Sequence, residues 1–363
     1  MKCCLDEDMS VPNARYVTNT PFTIQCDCIN RRLWDDYVKN HKAASNYHRY
    51  GWRDVVETSF NHPCFYLAAR EHDGSIIGVL PLVFLKSRLF GRFLVSQPFF
   101  NYGGLLYDYP EIGEALLAKA DELREELGAE HVELRHTEPL STDLPTKQHK
   151  VSMILELADD EDAQWKGFDV KLRNQIRKAE KSGLTAVVGG SELLTDFYAV
   201  FARNMRDLGT PVYPVKFFSE ILKAFPGYTR IISVYLQQKP VSAGLISCFR
   251  DTVEIPWASS IRTYNKLCPN NLLYWTALQY ALRHRFTQFD FGRSTQGEGT
   301  YRFKEQWGAR PIKLNWQYLL PEGLPLPELN TKNPKYELAI KVWKKLPLPL
   351  TKFLGPHIVK NIP

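Results

Sequence analysis

The sequence predicts an α/β fold laid out as two successive units of one grammar. Three observations carry that prediction. Apolar residues switch repeatedly between period-two alternation and helical spacing along the chain. A strand, turn and returning strand around Asp73-Gly74 recurs around Gln237 to Pro240, and each is followed by further strands and a helix in matching order. At 363 residues the chain is long enough to bury two cores.

Composition narrows the class. Hydrophobic content of 44% and charged content of 24% fit a globular protein. The net charge of +6, from 46 basic and 40 acidic residues, is compatible with phosphorylated or nucleotide-bearing ligands. It is too small an excess for a DNA-binding face, and the aromatic residues follow core periodicity instead of forming a stacking surface. The acidic stretch Lys2 to Asp8 has no apolar core of a signal peptide, and no run reaches the ~18 to 20 apolar residues of a membrane span. A cytoplasmic protein is expected. The seven cysteines are scattered, Cys26-Asp27-Cys28 is too tight for a zinc ribbon, and Cys64 and Cys248 sit in strand-like runs. Reduced thiols and no metal are expected.

In order, residues 1–20 read as a flexible tail. Arg32 to Lys39 and Tyr50 to Ser59 are helical patches, and Cys64 to Arg70 is a strand. Asp73-Gly74 makes a hairpin turn into Ser75 to Leu85. Phe93 to Gln97 is strand-like, and Phe99 to Gly104 is an aromatic and glycine loop. Ile112, Leu116, Ala120, Leu123 and Leu127 mark one helix face that Gly128 terminates, and Val132 to Arg135 is a strand. This first unit is assigned residues 21–150.

The second unit, residues 151–320, opens on a basic helix in which Leu172, Ile176 and Ala179 share one face and Arg173 and Arg177 another, with Gly183 as its stop. Those cations suit phosphate or carboxylate groups, or a solvated helix face at a junction. Strands follow at Arg230 to Leu236, Val241 to Phe249 and Thr252 to Ser259. Asn270 or Asn271 is then expected to cap a helix beginning at Leu272, whose free backbone N–H groups suit an anion. Gln288 to Phe291 alternates as a strand, and Gly292 permits a sharp exit. Residues 321–363 form a proline-rich basic tail, with lysines and apolar residues interleaved from Lys341 to Leu354. It reads either as a segment resting on an anionic inner membrane or as a helix packed on the second unit.

Four motifs in this order resemble the FemAB-like branch of the GNAT (acyl-CoA N-acyltransferase) superfamily. They are Leu172 to Gly183, Asn204-Met205-Arg206-Asp207-Leu208-Gly209-Thr210-Pro211, Phe289-Asp290-Phe291-Gly292-Arg293-Ser294, and Thr300-Tyr301-Arg302-Phe303-Lys304 with Trp307-Gly308-Ala309. The resemblance spans roughly residues 20 to 320 and is greatest to FemAB-related proteins of exosortase and exopolysaccharide systems. It implies two tandem GNAT-like domains, each a mixed, mostly antiparallel sheet flanked by helices. It also implies transfer of an acyl or aminoacyl group to an amine of a cell-envelope or exopolysaccharide precursor. No cofactor is expected to stay bound; the donor would be acyl-CoA or aminoacyl-tRNA. Relatives add amino acids to peptidoglycan precursors and some carry a helical-hairpin arm; no insertion with sustained heptads occurs here. Arg88-Leu89-Phe90-Gly91-Arg92-Phe93 comes nearest to a pyrophosphate loop.

Amide formation needs a positioned amine, a proton acceptor and donors for the developing oxyanion. Asp290 is the candidate for orienting or deprotonating the amine, or else a buried hydrogen-bonding residue of its strand. Lys304 is the candidate for stabilising the oxyanion or binding phosphate. Arg173, Arg177 and Arg293 are the candidate anion binders, and Tyr213 and Trp257 the cleft walls. Asn270, Asn271, Ser294 and Tyr301 complete the substrate-binding set. No Ser-His-Asp or Cys-His spacing stands out, which favours direct attack over an acyl-enzyme. Two other readings remain: an acetyl-CoA-dependent amino-sugar N-acetyltransferase, and a non-catalytic, membrane-associated assembly factor.

Overall fold

The computed structural model describes residues 21–27, 29–88, 90–327 and 334–362, so the expected tail at 1–20 lies outside the described residues. The first half runs β1 (Phe22–Cys26), α1 (Arg31–Asn40), α2 (Gly51–Phe60), β2 (Cys64–Glu71), β3 (Ile76–Ser87), β4 (Gly91–Val95), β5 (Leu106–Tyr107), α3 (Pro110–Glu126), β6 (Val132–His136) and β7 (Thr146–Lys147). Next come β8 (Val151–Glu156), α4 (Glu161–Gly167), α5 (Val170–Lys181), β9 (Leu184–Gly189), α6 (Leu194–Leu208), α7 (Val215–Ala224), β10 (Thr229–Leu236), β11 (Lys239–Phe249) and β12 (Thr252–Ser260). The chain closes with α8 (Pro269–Arg283), β13 (Gln288–Ser294), α9 (Gly299–Glu305), β14 (Arg310–Lys313), β15 (Asn315–Leu319), α10 (Pro334–Trp343) and α11 (Leu348–Val359).

Local chemistry explains the boundaries. Asp73 accepts the Ser75 N–H at 2.8 Å and closes the β2–β3 hairpin. Helix α3 starts on Pro110, buries Ile112, Leu116, Ala120 and Leu123, and is followed by Gly128 at φ +59°. Helix α5 buries Leu172, Ile176 and Ala179 as the spacing requires, and Gly183 stops it at φ +75°. Within the Arg88–Phe93 stretch, Gly91 to Phe93 belong to strand β4, which pairs back on β3 with Ser87 opposite Gly91.

The strands form two mixed sheets in the order β1-β2-β3-β4-β6-β15-β7, with β5 beside β3, and β14-β8-β13-β12-β11-β10-β9. In each, four antiparallel strands lead to one parallel pair, β4 with β6 and β12 with β13. The crossover is a helix, α3 or α8, as a parallel connection demands. Each sheet also takes a strand from beyond its own parallel pair in the chain. Strand β8 joins β13 of the second sheet, and β15 joins β6 of the first, although the linear division groups 315–319 with the second unit. Strand β15 thus crosses from the second unit into the first sheet and ties the two together.

Helices cover the second sheet on both faces. Helices α5 and α8 bury Leu172, Ile176, Leu273 and Leu278 against Val234, Ile246 and Phe289 on one face. On the other, Phe197, Phe201, Phe217 and Phe218 of α6 and α7 pack with Leu245 and Trp257, and with Trp52 and Phe100 of the first half. Trp52 is 1% exposed and donates its indole N–H to the Asn46 carbonyl at 2.8 Å. The halves therefore share a core, which fixes the first half's loops over the second sheet. Helix α11 lies on α6, with Thr351, Gly355 and Val359 buried, while Leu350 and Phe353 stay exposed, as do Leu338 and Val342 of α10. Among the described residues no helix is long and apolar enough to cross a membrane.

Candidate active site

The parallel strands β12 and β13 pair only from Thr252–Gln288 to Glu254–Asp290, and then they part. The cause is local. Gly292 sits at φ +75°, and the pairing of β13 with β8 jumps from Asp290 to Arg293 at that bulge. A Cβ at Gly292 would meet nothing nearer than 3.7 Å, so conformation and not space requires glycine there. The result is a gap between Ile255 onward and Phe291 onward, with two carboxylates side by side where it opens.

Asp290 is 1% exposed. One carboxylate oxygen accepts from Ser152 Oγ and from the Gly292 N–H, both at 2.7 Å, and the other accepts the Tyr102 hydroxyl. Burial pushes its pKa up to about 7, against the opposing pull of the Gly292 N–H and of Lys304. Glu254, 5% exposed, is likewise pushed up to about 7 by burial, opposed by a hydrogen bond from Tyr47 and by Lys304. Lys304, on α9, donates to the Gly292 and Arg293 carbonyls at 2.9 Å each. Burial brings its pKa down to about 8, and the two carboxylates resist that fall. Two acids and one amine thus titrate near neutrality in one buried cluster, where proton transfer is easiest to tune.

The other expected site residues divide. Arg293 is exposed, with its guanidinium 5.5 Å from the Trp316 ring. Ser294 is buried beside it in the strand, and its hydroxyl has no partner. Tyr301 is buried on the same short helix as Lys304. Tyr213 and Trp257 stand 6.4 Å apart in an aromatic cluster with Phe217. Arg173 and Arg177 are elsewhere: they lie on α5, across the second sheet from the Asp290 side chain, and Arg177 stacks 5.3 Å over Trp165.

Asn270 and Asn271 do not cap their helix. Helix α8 begins at Pro269 after Cys268 at φ +60°, and no side chain caps it. Asn270 instead accepts from Ser242 Oγ at 3.0 Å, and Asn271 donates to Gln175 of α5 at 3.1 Å. Proline at the first helical position moved the start forward and drew both asparagines into the first turn. The first-turn N–H groups are left without a side-chain acceptor, and α5 with its cations lies alongside.

Sequence reasoning missed Glu254, Tyr47, Tyr102 and Ser152 as site residues. Glu254 had a signal, since a carboxylate between Val253 and Ile255 in an apolar strand must be buried and held. Ser152 arrives from the neighbouring strand β8 of the same sheet, and Tyr47 and Tyr102 converge only through the docking of the halves.

The fold is two mixed sheets of like design, each with one parallel pair, and in the second sheet that pair parts over buried acids. Residues 168–305 match the family described as acetyltransferase (GNAT) domain. Among solved structures, FemX aligns at TM-score 0.63 and 16% identity, over 81% of this chain and 97% of its own. A tandem GNAT protein from the clavulanic acid biosynthesis pathway aligns at TM-score 0.53 and 14% identity, over 84% and 100%. L-PGS from Bacillus licheniformis aligns at TM-score 0.51 and 10% identity, over 87% and 97%. At these identities the likeness is one of fold. A search of curated protein sequences gave no significant match.

Proposed function

We propose that the protein is an N-acyltransferase that moves an acyl group from acyl-CoA to a primary amine by direct attack where β12 and β13 part. The observation that carries this reading is Asp290, a buried carboxylate poised near neutral pH at the mouth of the strand gap. The acyl thioester would enter the gap, where the backbone beyond Glu254 has no β13 partner and can bond the thioester carbonyl. The CoA phosphates would meet the uncapped N-terminus of α8, with Arg173 of the adjacent α5 as counter-charge.

The amine nitrogen attacks the thioester carbon, its excess proton passes to Asp290, and the carbon–sulfur bond breaks to release CoA as its thiolate. Tyr102 and Ser152 hold the carboxylate in place. Lys304 pins the bulge through two carbonyls, which leaves one of its three ammonium donors and its charge to offset the oxyanion. Tyr213, Trp257, Arg293, Ser294 and Tyr301 would shape the surroundings. The acceptor would be an amine of a cell-envelope or exopolysaccharide precursor, which accords with the FemX-like fold. An acyl-CoA donor is favoured over aminoacyl-tRNA by the GNAT domain match.

A melting experiment with acetyl-CoA, longer acyl-CoAs and charged tRNA tests the donor. At a hundredfold excess over its dissociation constant a true donor stabilises the fold by ~2.7 kcal/mol. Stabilisation by acyl-CoA, with amine-dependent thiol release, is expected; stabilisation by charged tRNA alone would overturn the CoA reading.

A further inference from the structure

No residue of the last two helices belongs to the carboxylate cluster, yet the fold holds both helices firmly by one side. Ile340 and Lys344 at the end of α10 lie against Gly209, where an added Cβ would come within 2.6 Å of the Ile340 side chain and 3.0 Å of the Lys344 stem. Helix α11 buries Thr351, Gly355 and Val359. Gly355 sits so close to Val212 that a Cβ there would meet its backbone nitrogen at 2.7 Å. Leu348 packs against the aromatic cluster of α6 and α7, and Lys352 places its ammonium 5.1 Å over the Tyr198 ring. The Lys360 carbonyl meets His62 Nε2 of the first half at 2.6 Å. These contacts fix which sides of α10 and α11 face outward.

Helical spacing then names the outward residues. Away from the Ile340 side of α10, Leu338, Lys341 and Val342 fall at i, i+3 and i+4, and Lys345 follows in the next turn; all four are exposed. On α11, opposite the buried residues, Leu350 and Phe353 are exposed. Phe353 at 68% and Leu338 at 64% are the most exposed large apolar side chains among the described residues. Single exposed apolar residues are ordinary. Four on two consecutive helices, interleaved with lysines, mark a contact surface.

Charge says what that surface meets. Residues 334–363 hold six lysines and one acid, Glu337. That acid stands 4.0 Å from Lys341 with both groups in water, where such a pair neutralises little. A second copy of the chain would press the same lysines against these, so charge opposes self-association. A soluble polyanion would satisfy the lysines and leave Leu338, Val342, Leu350 and Phe353 in water. An anionic bilayer surface satisfies both, because ammonium groups reach headgroup phosphates while apolar side chains enter the acyl boundary. At 10 and 12 residues, α10 and α11 are too short to span a bilayer and can only lie on it.

We propose that α10 and α11 form a peripheral anchor whose outward faces dock on an anionic lipid surface. Leu338, Val342, Leu350 and Phe353 enter the acyl boundary, and Lys341 and Lys345 sit at the headgroups. The anchor shares no residue with the carboxylate cluster, so the assignment stands or falls apart from the transferase reading.

Flotation of the full chain with vesicles of phosphatidylcholine, alone or with about one third phosphatidylglycerol, tests it at low and high salt. Binding to the anionic vesicles should be at least tenfold tighter than to the neutral ones and should weaken as salt rises. Val342→Glu and Phe353→Glu should each weaken it tenfold or more, with the melting temperature kept because both side chains are exposed. Lys341→Glu combined with Lys345→Glu should remove the preference for anionic lipid. Val187→Glu, at an exposed apolar position on strand β9, is the control and should bind as the native protein does. Equal binding to both vesicle types, no binding to anionic vesicles, unchanged binding in the four tail substitutions, or an equal loss in Val187→Glu would overturn the proposal. So would a dimer in sedimentation that Phe353→Glu dissociates, which would assign the face to a second copy.

Discussion

Asp290→Asn should make the protein more stable at pH 8 while disabling it. The substitution is nearly isosteric. The amide oxygen can still accept from Ser152 and Gly292, and the Tyr102 hydroxyl can turn to accept from the new NH₂ group. What disappears is a buried charge. Asp290 rises from its ordinary 3.8 to about 7 in the fold, which corresponds to about 4 kcal/mol of preference for the neutral form. The sign follows from linkage. A carboxyl group with a raised folded pKa lends its full stability below the unfolded value and loses it as pH climbs through the folded one. The native protein should therefore lose stability between about pH 4 and pH 7, with Glu254 adding to the same slope. Asparagine does not ionise, so the variant should lack Asp290's share of that loss. Urea unfolding at pH 5 and pH 8 reads the effect directly. The expected difference between variant and native protein at pH 8 is +2 to +4 kcal/mol, allowing for relaxation around the site, and falls to about 1–2 kcal/mol at pH 5. A variant less stable at both pH values, with the native slope intact, would refute the reasoning.

Other substitutions probe the same cluster. Lys304→Met removes two charge-assisted hydrogen bonds to the Gly292 and Arg293 carbonyls and should cost about 3–5 kcal/mol of stability by urea unfolding. Because Lys304 is depressed to about 8, the native protein should gain stability from about pH 8 toward 10.5, and this variant should not. Tyr102→Phe removes a donor to the Asp290 carboxylate, so the acidic limb of the pH–rate profile should move upward with little change at high pH. Gly292→Ala forces alanine to φ +75° in open space and should cost about 1–2 kcal/mol, again by urea unfolding.

Much of this molecule could be read from its sequence because local signals agree with the fold. The Asp73-Gly74 hairpin, the α3 stripe and the α5 face with its glycine stop are short-range patterns, and the structure keeps each within a few residues. Where the reading failed, longer-range chemistry was responsible. The asparagines before α8 look like caps, but Pro269 starts the helix earlier and Ser242 and Gln175 claim their side chains. Strand β15 reads as the end of the second unit, yet its partners are β6 and β7, far earlier in the chain. Asp290 and Lys304 were legible as ionisable groups in apolar surroundings, and both are buried. Their convergence with Glu254, Tyr47 and Tyr102 depends on two strands parting and two halves docking, which no local period encodes. Arg173 and Arg177 show the converse: a dense cationic motif reads as one site, and the fold places it across the sheet from the carboxylates.

Direct acyl transfer with Asp290 as proton acceptor is the central claim, and a pH–rate profile tests it most directly. The rate of thiol release from acetyl-CoA would be followed from pH 5 to pH 9 with a primary amine present, for the native protein and Asp290→Asn. The account predicts a limb with an apparent pKa near 7 in the native protein, and in the variant a rate lower by ~100-fold or more with that limb gone. An unchanged limb and a rate within tenfold of native in the variant would contradict it.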